Sequence, residues 1–236
     1  MGQLCGHLED DDEYIGKLQR DLMKKILLFS GGLDSATLLY YLKKQGDEIA
    51  ALWFDYGQKN AERERKAVRN VSALAGCNLI EFSVGDAFRF SRSSILASSD
   101  IPITVIEKKG CDIHFRHSNT EVEFRNGVLL AMGISIAHQL YPGAKVRISY
   151  GATWSRCGYP DCSAAFIKSL NETLEVCYGD RIKVDAPFID WGKDKVYKTA
   201  QALGVPIAKT WSCYEGKDTP CGICPACLDR RILEGI

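Results

Sequence analysis

The sequence contains no apolar run long enough to cross a bilayer: the longest, residues 127–137, falls short of the ~20 residues a membrane helix needs. A secretory signal is also missing. Where a basic and then apolar segment would stand, the chain has Leu8-Glu9-Asp10-Asp11-Asp12-Glu13. Nor is there an N-myristoylation signal, because Gly6 occupies the position that requires Ser or Thr. Charge of one sign is not in excess, since 30 basic residues balance 30 acidic ones. No overall field therefore draws the chain to nucleic acid or to an anionic membrane. No membrane and no nucleic acid are expected as partners, a small molecule is favoured, and the expected location is cytoplasmic. Internal repeats and low-complexity stretches are absent as well.

What is present is 236 residues with 46% hydrophobic content, enough for one substantial core and a small appendage. Runs rich in β-formers (25–29, 49–54, 78–83, 146–150, 181–184) alternate with stretches of helical period (35–44, 61–75, 124–140, 164–176, 193–203). This alternation predicts an α/β fold, a Rossmann-like parallel sheet with helices on both faces, binding its ligand beyond the carboxyl ends of the strands. Residues 85–120 are weakly periodic and rich in Ser, Arg and Lys, which predicts a long mobile connection able to cover a site. The expected organisation is an N-terminal extension over 1–22, a nucleotide-handling α/β domain over 23–205 and a cysteine-bearing tail over 206–236. Met23-Lys24-Lys25 looks like an ordinary start, so the extension is expected to be an appended, disordered leader, with an extra helix as the alternative.

At residues 27–42, LLFSGGLDSATLLYYL, a strand stops at Ser30-Gly31-Gly32-Leu33-Asp34-Ser35 and resumes as a helix. Glycines at such a junction let backbone N–H groups approach an anion, and the helix start adds its positive dipole end. The lysine of the ordinary P-loop is missing. Ser30 and Ser35 offer hydroxyls, and Asp34 among phosphates requires an intervening Mg²⁺. Taken alone, the same stretch also reads as a turn and an N-cap.

Ten cysteines in a reducing compartment point to metal binding or catalysis and away from disulfides. Cys213, Cys221, Cys224 and Cys227 have the spacing of a tetrahedral four-thiolate site, with Gly222 and Pro225 making the turns. A closed structural Zn²⁺ site is predicted, ahead of a redox or Fe–S role. Cys5, Cys77, Cys111 and Cys177 are expected to be small hydrophobes.

The Ser-Gly-Gly-x-Asp-Ser stretch resembles the PP-loop of the ATP pyrophosphatases, with Ala36 where that superfamily usually has Ser or Thr. Together with the cysteine tail it resembles the 7-cyano-7-deazaguanine synthases of the queuosine pathway. Phe54-Asp55-Tyr56-Gly57-Gln58, Arg125-Asn126, Gly158-Tyr159-Pro160-Asp161-Cys162, Lys193 and the Cys213-Tyr214 pair all agree with that family, and the likeness runs from 23 to about 231.

The resemblance implies the PP-loop ATPase fold and an ATP-dependent C–N ligase. That enzyme adenylates the carboxylate of 7-carboxy-7-deazaguanine, lets ammonia displace AMP to give the amide, and spends a second ATP in converting the amide to the nitrile. The implied ATP-binding residues are Ser30, Gly31, Gly32, Asp34 and Ser35, with Asp34, Arg125 and Lys193 catalytic. Arg125 suits bidentate contact and Lys193 acts as a point charge; either alone reads first as a surface charge, and its place in the motif reverses that reading. Tyr56, Gln58, Tyr159 and Asp161 are the expected substrate-binding residues, Asp161 accepting from the two donors of a guanine-type edge unless it only makes an Asx turn. A homodimer is expected. Departures from the family pattern stand at Lys59-Asn60, Glu123-Phe124 and Trp154-Ser155-Arg156-Cys157, all expected around the substrate pocket. They raise a second reading, a paralogue of the kind found in antiphage defence that stops at the amide or passes the activated acyl group to a protein amine.

Overall fold

A computed structural model of the chain describes residues 24–104, 119–153 and 159–235. Five strands, β1 (Lys24–Leu28), β2 (Glu48–Asp55), β3 (Asn78–Ser83), β4 (Val146–Tyr150) and β5 (Ile182–Asp185), form one parallel sheet in the order β3-β2-β1-β4-β5. The helices are α1 (Leu33–Lys44), α2 (Ala61–Ala75), α3 (Arg125–Leu140), α4 (Ala164–Tyr178), α5 (Lys193–Ala202) and α6 (Pro225–Glu234). None of the described helices is long and apolar enough to cross a membrane.

The central strands are apolar at successive positions because both sheet faces are covered. Ile26, Leu52, Phe54 and Ile148 pack with Leu130 and Ile134 of α3 and Leu174 of α4. Leu27, Ala51 and Trp53 point the other way, onto Leu38 and Leu39 of α1, Val68 of α2 and Val196 of α5. The chain leaves β1 for β2 and β3 on one side, then crosses to β4 on the other. The connections after β1 and β4 therefore diverge, opening a crevice at the carboxyl ends of those two strands.

Several boundaries move by a few residues for local reasons. The third predicted helix starts at Arg125 because Phe124 takes the left-handed conformation, with φ at 53°. The fourth continues to Tyr178, where Gly179 ends it at φ 62°. Helix α6 was not anticipated, although Pro225 in its first turn and Gly235 at its end, φ 72°, are ordinary start and stop residues. Part of the 85–120 connection is packed: Phe88, Ile95 and Leu96 bury with Val122 against Tyr56, and Leu96 bridges to Gln58. Residues 1–22, the remainder of that connection over 105–118, and the departure at Trp154-Ser155-Arg156-Cys157 lie outside the described residues.

Candidate active site and cysteine centre

The loop after β1 is shaped by two glycines with different tasks. Gly31 has φ 73°, and a Cβ there would lie 3.0 Å from the Val68 backbone nitrogen and the Ala67 Cβ, so both conformation and space demand glycine. Gly32 stands at the N-cap of α1 with no side chain capping the helix, which keeps the first-turn N–H groups directed at the crevice. Ser30 and Ser35 face each other with Oγ atoms 3.1 Å apart, and Ser35 also donates to the Gly32 carbonyl. Gly151, just beyond β4, completes the cradle. A Cβ on it would lie 3.2 Å from the Ser35 nitrogen.

Asp34 and Lys193 meet here as an ion pair, although 159 residues separate them. Lys193 opens α5, so the helix start brings it to the loop. The pair uses only Oδ2 of Asp34; its Oδ1 is buried without a hydrogen-bond partner among the described residues. A buried, unpartnered carboxylate oxygen beside a phosphate-type loop is chemically suited to a hard divalent cation. Asp34 thus fits a role toward Mg²⁺.

Tyr56 and Arg125 meet in the same cavity. The Arg125 Nη1 donates to the Tyr56 hydroxyl at 2.9 Å, and the guanidinium lies 5.3 Å from the tyrosine ring centre. Burial pushes the Tyr56 phenol up to about 12, so it is a neutral hydroxyl throughout the working range. Burial alone would lower the pKa of Arg125, but Tyr56, Tyr214 and Glu64 around it more than offset this. Tyr159 shares a 2.8 Å hydrogen bond with Thr120.

One cavity of about 340 Å³ is lined by Ser30, Gly32, Asp34, Ser35, Tyr56, Arg125, Tyr159 and Lys193. Of the expected site residues outside the cysteine tail, Gly31, Gln58 and Asp161 do not line it. Gln58 is buried. It accepts from the Tyr56 N–H at 2.8 Å and donates to the Phe54 carbonyl and Glu64, bracing the turn from behind. Asp161 is likewise buried, and its Oδ2 accepts the Asn126 N–H at 2.8 Å, capping the open start of α3.

Two lining carboxylates that sequence reasoning missed are Asp229, on α6, and Glu64, on α2. Glu64 receives hydrogen bonds from Trp53, Gln58 and Asn60, and burial holds its carboxyl above the ordinary range against all three and the nearby Arg125 charge. The departures also sit differently from expectation. Asn60 is buried beneath the tail and Phe124 is exposed, and neither lines the cavity.

The four tail cysteines converge, with their sulfurs all within 4.8 Å of one another. Cys221 and Cys227 sulfurs are 3.9 Å apart. A tetrahedron with Zn–S bonds of ~2.3 Å has S···S edges of about 3.8 Å, so the spacing fits a zinc ion. Backbone N–H groups of Cys221 and Cys224 point at the Cys213 and Cys221 sulfurs, each at 3.3 Å, stabilising thiolate charge. Cys213 is drawn below the ordinary thiol range, chiefly by the Cys224 thiol. The set is closed, three of the four being buried, and suits a structural ion.

Comparison with known proteins gives the same picture. The 7-cyano-7-deazaguanine synthase of Methanoculleus marisnigri is 35% identical over 216 residues, 89% of this chain and 93% of that protein. That of Campylobacter hominis is 32% identical over 210 residues, 88% and 93% of the two chains. The solved NMN synthetase of Francisella tularensis aligns over 96% of this chain and 84% of its own with a TM-score of 0.47 at 14% identity, a likeness on which nothing is built. The family model described as queuosine biosynthesis protein QueC matches residues 24–232, the sheet, the loop and the cysteine centre together, and the chain belongs to that family.

Proposed function

We propose that the chain is an ATP-dependent ligase acting on 7-carboxy-7-deazaguanine. The observation that carries this reading is the single cavity uniting a lysine-free glycine loop, the Asp34–Lys193 pair and the Arg125–Tyr56 pair. A carboxylate is a poor electrophile because it is anionic and its oxygen leaves badly. Attack of that oxygen on the α-phosphorus of ATP breaks the bond to the β-phosphate and converts it to an acyl adenylate. Backbone N–H groups of the loop and the hydroxyls of Ser30 and Ser35 receive the departing pyrophosphate. Lys193 and Arg125 offset charge developing on phosphate oxygens. When bound, Mg²⁺ would be held by Asp34 and would supply positive charge against the phosphates. Ammonia then attacks the acyl carbon and AMP leaves with the carboxylate oxygen, giving the amide. A second adenylation, on the amide oxygen, lets AMP depart with loss of protons to leave the nitrile.

Support for the substrate comes from the relatives' names and from the cavity's aromatic lining by Tyr56, Tyr159 and Tyr214, suited to a flat heterocycle. Among the described residues nothing favours the second reading, transfer to a protein amine, over this one: Lys59-Asn60 and Glu123-Phe124 lie off the cavity. Incubation with 7-carboxy-7-deazaguanine, ATP, Mg²⁺ and ammonium should yield AMP, pyrophosphate and, by mass spectrometry, the nitrile. Amide without nitrile after prolonged incubation with excess ATP would replace this reading with the second. ADP and phosphate would refute both.

A further inference from the structure

We propose that the cysteine tail is a wall of the nucleotide site, so that zinc in the four-thiolate centre and nucleotide in the cavity stabilise one another's binding. The inference rests on the preceding reading that the cavity takes ATP. The tail does not hang beside the fold; Trp211, Tyr214 and Arg230 line the cavity. The Trp211 N–H donates to the Gly31 carbonyl at 2.9 Å, a direct backbone contact between the tail and the phosphate loop. Two residues on, the Cys213 carbonyl accepts from the buried Asn60 side chain at 3.0 Å and from the Trp211 indole at 2.8 Å. Asn60 also donates to Glu64, a lining carboxylate. At Gly216, φ 67°, the tail presses so closely on the Lys59 carbonyl that a Cβ would lie 2.2 Å from it.

A zinc ligand is thus two residues from the contact that holds Gly31, and its own carbonyl anchors the residue that orients Glu64. If the thiolates part, both contacts lose their anchor. Asn60 is in this account a positioning residue. It touches no cavity space and acts through Cys213 and Glu64.

Coupling between two binding events is reciprocal, which supplies the test. Zinc transfer from the reduced, full-length protein to a chromophoric chelator is followed with and without a non-hydrolysable ATP analogue and Mg²⁺, while calorimetry reports analogue binding to the same sample. The expected result is zinc retention raised severalfold by the analogue. Binding of the analogue with unchanged zinc retention would overturn the inference and leave the proposed function standing. Failure of the zinc-loaded protein to bind the analogue would instead remove the proposed function, and the inference with it. As a second measurement, Asn60→Ala with all four cysteines intact should weaken analogue binding by about five- to tenfold, the value of one buried hydrogen bond. Wild-type affinity in that variant would count against the coupling.

Discussion

The phosphate loop and the cysteine tail reach one cavity by opposite physical means. The loop is held by the main core: β1 feeds it, α1 follows it, and Gly31 fits closely against Val68 and Ala67 at a positive φ. The tail has little core of its own. Its buried cluster is Cys213, Cys224 and Cys227 with a few partly buried neighbours, and Leu233 of α6 reaches the main core. A segment that cannot bury enough apolar surface to offset its chain entropy needs a cross-link, and four thiolates placed to share one metal would provide it. Rigidity at the loop is therefore a matter of sterics, and at the tail a matter of coordination.

Breaking the loop's chemistry without its sterics should give the largest effect. Asp34→Ala removes both the partner of Lys193 and the unpartnered Oδ1, and should cut AMP release by about 10²–10³-fold. The pair is partly exposed, so the melting temperature should shift only by the equivalent of about 1 kcal/mol. Turnover at the wild-type rate would show that the loop only turns the chain.

Breaking the tail's coordination comes next. Cys224→Ser should lower zinc content below half an equivalent and the melting temperature by several degrees, checked by metal analysis and calorimetry. Full zinc occupancy in that variant would contradict the four-ligand assignment. Breaking the loop's sterics follows: Gly31→Ala places a side chain at φ 73° with Val68 3.0 Å away and should cost about 1–3 kcal/mol in denaturant titration.

Smaller effects sharpen the contrast. Tyr56→Phe deletes the acceptor of the Arg125 hydrogen bond and should lower kcat about tenfold with little change in melting temperature at neutral pH. The Tyr56 phenol also gives a pH signature. Its folded pKa of about 12 exceeds the ~10 of a free phenol, so the neutral form is favoured by folding. That contribution is complete below pH ~10 and is lost as pH rises through about 12, a loss absent from Tyr56→Phe.

The parallel sheet, the loop and the convergence of the four cysteines were legible in the sequence because each is written locally. Alternating elements fix the sheet, six consecutive residues make the loop, and cysteines within a short span make the centre. Side chains whose role depends on distant neighbours were harder to read. Glu64 belongs to a run of charges along α2, and the arrival of the Trp53 indole and the Gln58 and Asn60 amides distinguishes it from Glu62. Gln58 and Asp161 are polar residues within family motifs, but the backbone groups nearest them claim their hydrogen bonds. Asn60 reads in the sequence as a change in the pocket because it stands two residues after Gln58. The tail folding back across the start of α2 sets it against Cys213 instead, a contact spanning 153 residues.

The central claim is that a substrate carboxylate is adenylated within the cavity shared by loop and tail. It is tested most directly with 7-carboxy-7-deazaguanine carrying heavy oxygen in its carboxylate, ATP, Mg²⁺ and ammonium, with AMP examined by mass spectrometry. Attack of the carboxylate on the α-phosphorus predicts that label from the substrate appears in AMP, in step with amide formation. Unlabelled AMP, or ADP in its place, would contradict the account.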